Sequence, residues 1–224
     1  MNLVFKHSWN VSLDEAIKIQ KKFSKYVKKK DDFEKIEKVA GVGMIFQKDA
    51  KVITAVVIFS FPQLEVLKRI RKEGFSTFRY KSGFFAFSSG PSIISCLQEV
   101  EKPDLLIFPG RGIIHPQGLG LASHLGVLFD IPTIACSKRP LWKSFKETEK
   151  RKGSFLFREE GGERIGAVLR SKSNTKPIFV TPGHRISCES AVEIILRCCT
   201  KFRLPEPLRE AKILAKNFQK GYNL

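Results

Sequence analysis

Three features of the sequence predict an α/β fold built on a mixed sheet. Residues 104–138, DLLIFPGRGIIHPQGLGLASHLGVLFDIPTIACSK, read as strand, Gly-rich turn, helix and strand, the unit from which parallel sheets are made. Upstream, residues 36–46 and 52–61 are β-rich runs joined by Lys48-Asp49-Ala50-Lys51, which is the pattern of an antiparallel hairpin. Downstream, residues 155–158 and 164–171 pair in the same way across Gly161-Gly162. The 224 residues are enough for one such domain with a sizeable core. No internal repeat, long linker or low-complexity tract divides them, so a single domain over residues 1–224 is expected.

The remaining elements follow in order. Ser12-Leu13-Asp14-Glu15 has the spacing of a capping box. Behind it Leu13, Ile17, Phe23 and Val27 recur at helical spacing, predicting a helix to about residue 30. Its other face carries Lys18, Lys21, Lys22, Lys25 and Lys28 to Lys30, either a solvated surface or a rail for backbone phosphates. Residues 64–71 add a third strand. In the aromatic stretch 75–87, Phe84, Phe85 and Phe87 read as core, whereas Tyr80 between Arg79 and Lys81 is suited to stack on or wedge between bases. A helix over residues 91–100 takes Pro91 in its first turn. Residues 178–181 form a further buried strand, 181–185 a loop, and 187–199 a helix. Pro205-Glu206-Pro207 opens a last helix that ends near Gly221.

Composition narrows the function. No apolar run approaches the roughly 20 residues of a membrane helix. Lys6 and His7 interrupt any signal-peptide pattern, so a cytoplasmic protein is expected, and a monomer. The five cysteines are odd in number, form no CxxC and lack histidine partners at zinc spacing, and so read as reduced core thiols. The formal charge of +18, with a pI near 9.9, points to a polyanionic partner, nucleic acid foremost. The alternative is a lysine-rich surface that only solvates.

Ligands of open α/β sheets sit at the carboxyl ends of strands, where Pro109-Gly110-Arg111 and Ser137-Lys138 fall. His115 and His184 each follow a strand beside glycines, while His124 lies within a helical pattern and reads as a packing residue. There is no P-loop and no G-x-S-x-G. A two-metal nuclease needs clustered carboxylates at strand ends. Asp104 is at the wrong end of its strand, Asp130 closes a helix, and only Glu189 is well placed.

The chain nonetheless carries a series of specific segments. They are Ala40-Gly41, Tyr80 with Gly83-Phe84, Gly110-x-Gly112-x-x-His115-Pro116, GLASHLG at 120–126, Pro132-Thr133, Ser137-Lys138, Arg170-Ser171-Lys172, PGHRIS at 182–187 and RLPEP at 203–207. In that order and content, from about residue 12 to 210, the chain resembles the endonuclease V family. The resemblance implies a ribonuclease H-like mixed sheet flanked by helices, and hydrolysis of a phosphodiester on the 3′ side of deoxyinosine in DNA, or inosine in RNA, during repair. It also implies a magnesium or manganese site. Tyr80 would belong to a loop that parts the duplex beside an everted base, with Arg79 and Ser82 in place of the usual prolines. Gly83, Gly110, Gly112 and Gly120 would admit the base and its phosphate. Lys138 would contact the scissile phosphate and His184 would orient water, with Glu189 at a family acidic position. Arg111, His115, Arg170 and Lys172 complete the expected nucleic-acid-binding set.

The departures fall at the reaction centre. The family's acidic positions are Gly43, Ser89 and Pro109 here, and a family histidine is Arg111. A hard dication requires carboxylate or carbonyl oxygens, so no metal and no cofactor is expected, and Lys138, His184 and Glu189 would be a remnant set. Two alternatives stay open: an active nuclease whose ligands have moved, with Asp49 and Glu189 converging, and a protein-interaction module on the nuclease fold.

Overall fold

The computed structural model describes residues 1–76, 78 and 81–219. Five helices and eight strands occur among them. They are α1 (Leu13–Ser24), β1 (Lys38–Phe46), β2 (Lys51–Ser60), β3 (Val66–Phe75), α2 (Phe85–Leu97), β4 (Leu105–Pro109), α3 (Leu121–Phe129), β5 (Thr133–Ser137), β6 (Phe155–Glu160), β7 (Glu163–Leu169), β8 (Ile178–His184), α4 (Cys188–Arg197) and α5 (Glu206–Gln219). The strands form one sheet in the order β3-β2-β1-β4-β5-β8-β7-β6. β1, β4 and β5 run parallel, and the outer pairings β2–β3 and β6–β7 are antiparallel. This is the mixed, ribonuclease H-like α/β sheet that the sequence predicts. No helix among the described residues is long and apolar enough to cross a membrane.

Alternation along the central strands splits the core in two. Val39, Leu105, Ile107 and Ile134 face the α4–α5 side, and Ala40, Val42, Leu106 and Phe108 face the α2–α3 side. All five cysteines are free and buried, as core thiols should be.

Several boundaries differ from the sequence reading, β3 running to Phe75 rather than residue 71 among them, and in three places a long-range contact overrides local pattern. The capping box forms, with Ser12 and Glu15 bonding each other's backbone N–H, but α1 stops at Ser24 rather than near residue 30. Beyond it the chain is pulled straight along β8: Lys28 N–H donates to His184 Nδ1 (3.2 Å) and Arg185 N–H to Lys28 O (2.8 Å). The helix assigned to residues 91–100 begins six residues earlier, at Phe85, and holds Pro91 in its interior. Phe87, Ser88 and Ser89 are buried there, and burial of that face outweighs the proline's missing donor. Gly183 and His184 are the last residues of β8 rather than a loop. Gly221 lies outside the described residues.

Candidate nucleic-acid cleft

Two adjoining cavities open at the carboxyl ends of β1, β4 and β5. The register of β1 with β4 pairs Val39 with Leu105 and Gly41 with Ile107, which sets Gly43 level with Pro109. One cavity, of about 400 Å³, is lined there by Gly43, Pro109, Cys136, Lys138, Arg139 and Lys212. The second, of about 330 Å³, is bordered by Gln20, Gly83, Arg111, His115 and Gly120. Phe85, Gly110, Ser137 and Arg139 line both, so the two form one continuous cleft. Gly110 sits at the junction with φ of +100° and open space on its Cβ side, a conformation L side chains rarely adopt.

The second cavity has a defined polar floor. The Gly83 carbonyl accepts from His115 Nε2 (2.7 Å) and from Gln20 Nε2 (2.9 Å). His115 Nδ1 in turn accepts from Gln117 N–H (3.2 Å), so the ring is the neutral Nε2–H tautomer, and burial holds its pKa below the ordinary histidine value. Because Gln20 must turn its amide nitrogen to Gly83, its Oε1 is left buried without a partner. Gln20 escaped the sequence reading. The available signal was its place with Ala16 and Phe23 on the buried face of α1, as the one polar group there.

The first cavity holds no metal-ligating set. Gly43 has no room for a side chain: a Cβ would lie 2.5 Å from Lys212 N and 2.6 Å from Ala211 O, on the α5 backbone. Ser89 is fully buried, and its hydroxyl donates to Phe85 O one turn back (2.7 Å). Pro109 offers no polar side chain. Cys136 is a buried thiol whose pKa is driven well above normal by desolvation, so it is neutral. Among the described residues no three His, Cys, Asp or Glu side chains gather to hold a metal ion. The residues therefore do not fit a magnesium or manganese ion. Lys212, on the α5 segment that covers Gly43, was also missed. Gly41 and Gly43 at period two could have shown it, since they mark the face of β1 that a helix backbone approaches.

The structure distributes the predicted site residues unevenly. Lys138, Gly83, Gly110, Arg111, His115 and Gly120 line the cleft. Gly112 packs instead on β8, its N–H donating to Thr181 Oγ1 (2.9 Å). Arg111 borders the second cavity rather than the space between Gly43 and Pro109. Arg170 is turned inward. Its guanidinium donates to Glu149 O (2.9 Å), Thr148 O (2.8 Å) and Thr175 O, so it clamps the loops around β7 and is not exposed to a ligand. Lys172 and Lys81 are exposed. Arg79 and Tyr80 lie outside the described residues.

His184 and Glu189 stand at the other end of the sheet. His184 pairs with Thr133 at the start of β5, whereas Lys138 follows its end, roughly 16 Å further along the strand direction. His184 Nε2 faces Asp130 Oδ1 (3.1 Å), and burial keeps its pKa low against that carboxylate's pull. Glu189 is held by Arg164 (2.5 Å), whose guanidinium keeps the carboxyl below its usual range. Asp49 occupies the β1–β2 turn at the opposite end, so Asp49 and Glu189 do not converge. His124 is fully buried, its Nε2 2.7 Å from His7 Nε2, which is the packing role expected of it. On the α1 rail, Lys28 pairs with Asp32 and Lys29 with Glu163, while Lys18, Lys21, Lys22 and Lys25 line a shallow groove beside Tyr26. At the His184 end a large groove of about 880 Å³ is bordered by six carboxylates, Asp31, Asp32, Glu34, Glu37, Asp104 and Asp130, with Lys35, Lys102 and Arg185 among them.

Fold and cleft together define a ribonuclease H-like scaffold with a basic cleft at the carboxyl ends of its parallel strands. The family model for Endonuclease V matches residues 21–213. An Endonuclease V of Dictyoglomus thermophilum is 42% identical over 204 residues, covering 91% of this chain and 89% of that one. The crystal structure of the Endonuclease V from Streptomyces avermitilis superposes with a TM-score of 0.89 at 29% identity, covering 99% of each chain. That of Ciona intestinalis Endonuclease V, in complex with a 24mer DNA containing an inosine followed by a ribo-adenosine, has a TM-score of 0.83 at 25% identity, covering 93% of this chain and 98% of that one. The chain belongs to the endonuclease V family.

Proposed function

We propose that this protein binds nucleic acid, single-stranded or inosine-containing, through the paired cavities, and has lost or nearly lost metal-dependent cleavage. One observation carries the reading: between Gly43, Ser89 and Pro109 there is no side-chain oxygen free to hold a dication, and the cavity wall supplies lysine and arginine instead. The Ciona relative's DNA complex supports the ligand class, and the +18 charge supports affinity for a polyanion. On this reading the chain is a pseudoenzyme that retains recognition.

The test uses labelled inosine-containing and control oligonucleotides, scored for both binding and nicking with and without manganese. Salt-sensitive binding without nicking is expected. Efficient manganese-dependent nicking would refute the proposal. Absence of binding to every oligonucleotide would instead favour a protein-interaction module.

A further inference from the structure

We infer that the cavity between Gly43 and Pro109 is a direct binding site for a phosphodiester group, with Lys212 of α5 as its distinguishing cation. The inference rests on the nucleic-acid reading above and goes beyond it by naming a site and a residue.

The geometry begins with β1. Gly41 and Gly43 present no side chains on one face of the strand, and the α5 backbone rests directly on both: a Cβ on Gly41 would lie 2.6 Å from Leu208 N. With the helix this close, Leu208 and Lys212, one turn apart, both line the cavity. Leu208 lines it with Val42, Met44, Phe46 and Leu204, and the exposed Lys212 lines it beside them. From the facing side, Lys138 and Arg139 follow the end of β5.

No carboxylate lines this cavity, and among the described residues none of Lys138, Arg139 and Lys212 has an acidic partner. Lys28, Lys29, Arg164, Arg185 and Arg209 sit on Asp or Glu, and other lysines without such a partner, as Lys18, Lys21, Lys22 and Lys25, line a shallow groove along α1, whereas these three share one concavity at the strand ends. Three unneutralised cations around a concavity with apolar walls concentrate positive potential, because low-dielectric walls focus the field. Such a cavity repels a dication and accepts an anion. Its continuity with the cavity floored by Gly83 and His115 makes a nucleotide the fitting ligand, base on one side of Gly110 and phosphate on the other. A lysine meets phosphate as a point charge, so the contact sets affinity rather than sequence.

The experiment measures affinity of a labelled single-stranded oligonucleotide by fluorescence anisotropy across a potassium chloride series, with EDTA present. Wild type binds without divalent metal. Lys212→Gln flattens the slope of log affinity against log salt by about 0.7, the amount expected for one lost phosphate contact on a single strand. Lys212→Arg restores the slope. Lys35→Gln, removing an equal charge at the far end of the sheet, leaves it unchanged. Magnesium chloride weakens wild-type binding as a competing counterion. An unchanged slope in Lys212→Gln, or binding that requires magnesium, overturns the inference. If no oligonucleotide binds at all, the nucleic-acid reading falls by itself. Calorimetry with inorganic pyrophosphate then decides the site: binding lost in Lys212→Gln sustains it, and no binding by wild type ends it.

Discussion

The packing of α5 on β1 makes Gly43 a position where any side chain costs stability. Gly43→Ala adds a single methyl group. Its carbon would stand 2.5 Å from Lys212 N and 2.6 Å from Ala211 O, inside the 3.0 Å that such atoms keep. The obstruction is helix backbone, so no rotamer change relieves it, and α5 has to lift from β1, separating Leu208, Ala211 and Leu214 from the core they share with Val39 and Ile53. Overpacking of this kind costs roughly 1–3 kcal/mol. For a chain of this size that lowers the melting temperature by roughly 2–12 °C. Gly43→Asp should be worse, since it drives a charge into the same contact, and should not confer manganese binding by itself. Thermal unfolding followed by circular dichroism measures the first effect, and manganese titration followed by electron paramagnetic resonance measures the second. A Gly43→Ala protein that melts with wild type would refute the seating of α5 and with it the argument that this position cannot hold a carboxylate.

Other expectations follow from single contacts. Arg170→Met should destabilise by roughly 3 kcal/mol, because it orphans the buried Thr148 carbonyl and the part-buried carbonyls of Glu149 and Thr175, while the folded fraction keeps its oligonucleotide affinity; denaturant titration and anisotropy separate the two. Ser12→Ala should cost about 1 kcal/mol through loss of the α1 cap, read from the urea midpoint. Burial holds the pKa of His124 well below 6.5, with His7 opposing its charge further. The unfolded chain therefore takes up this proton first, and stability is full above pH 6.5 and falls on acidification by about 1.4 kcal/mol per pH unit while the folded ring stays neutral. Denaturant midpoints at pH 7.5 and 5.5 check this, and equal midpoints would contradict it. Glu189→Gln, at the far end from the cleft and engaged with Arg164, should leave oligonucleotide binding unchanged.

Local patterns made most of the sheet legible. The hairpins at Lys48–Lys51 and Gly161–Gly162 and the strand–helix–strand unit were marked by turn residues and apolar runs, which act over a few positions. What local pattern concealed was decided by distant partners. α1 ends where Lys28 meets His184, 156 residues away. Pro91, which reads as a helix start, is tolerated mid-helix because the residues before it are buried. The site shows the same division. That Gly43, Ser89 and Pro109 carry no acidic side chain is visible as letters, but the presence of Lys212 beside them depends on α5 lying over β1. Arg170, inside a motif that resembles a nucleic-acid contact, turns inward because three loop carbonyls outbid solvent for its donors.

The acidic groove beside Asp31 and Asp130 has a consequence for encounter. It sits at one pole of the sheet and the lysine-walled cleft at the other. The groove sets six carboxylates against Lys35, Lys102 and Arg185, whereas the cleft wall carries cations without a carboxylate, so charge is unevenly shared between the two ends. On the nucleic-acid reading proposed above, a drifting strand of phosphates would be drawn toward the cleft end rather than the groove end. Productive collisions are enriched over random ones, and the enrichment fades as dissolved ions shorten the reach of the field.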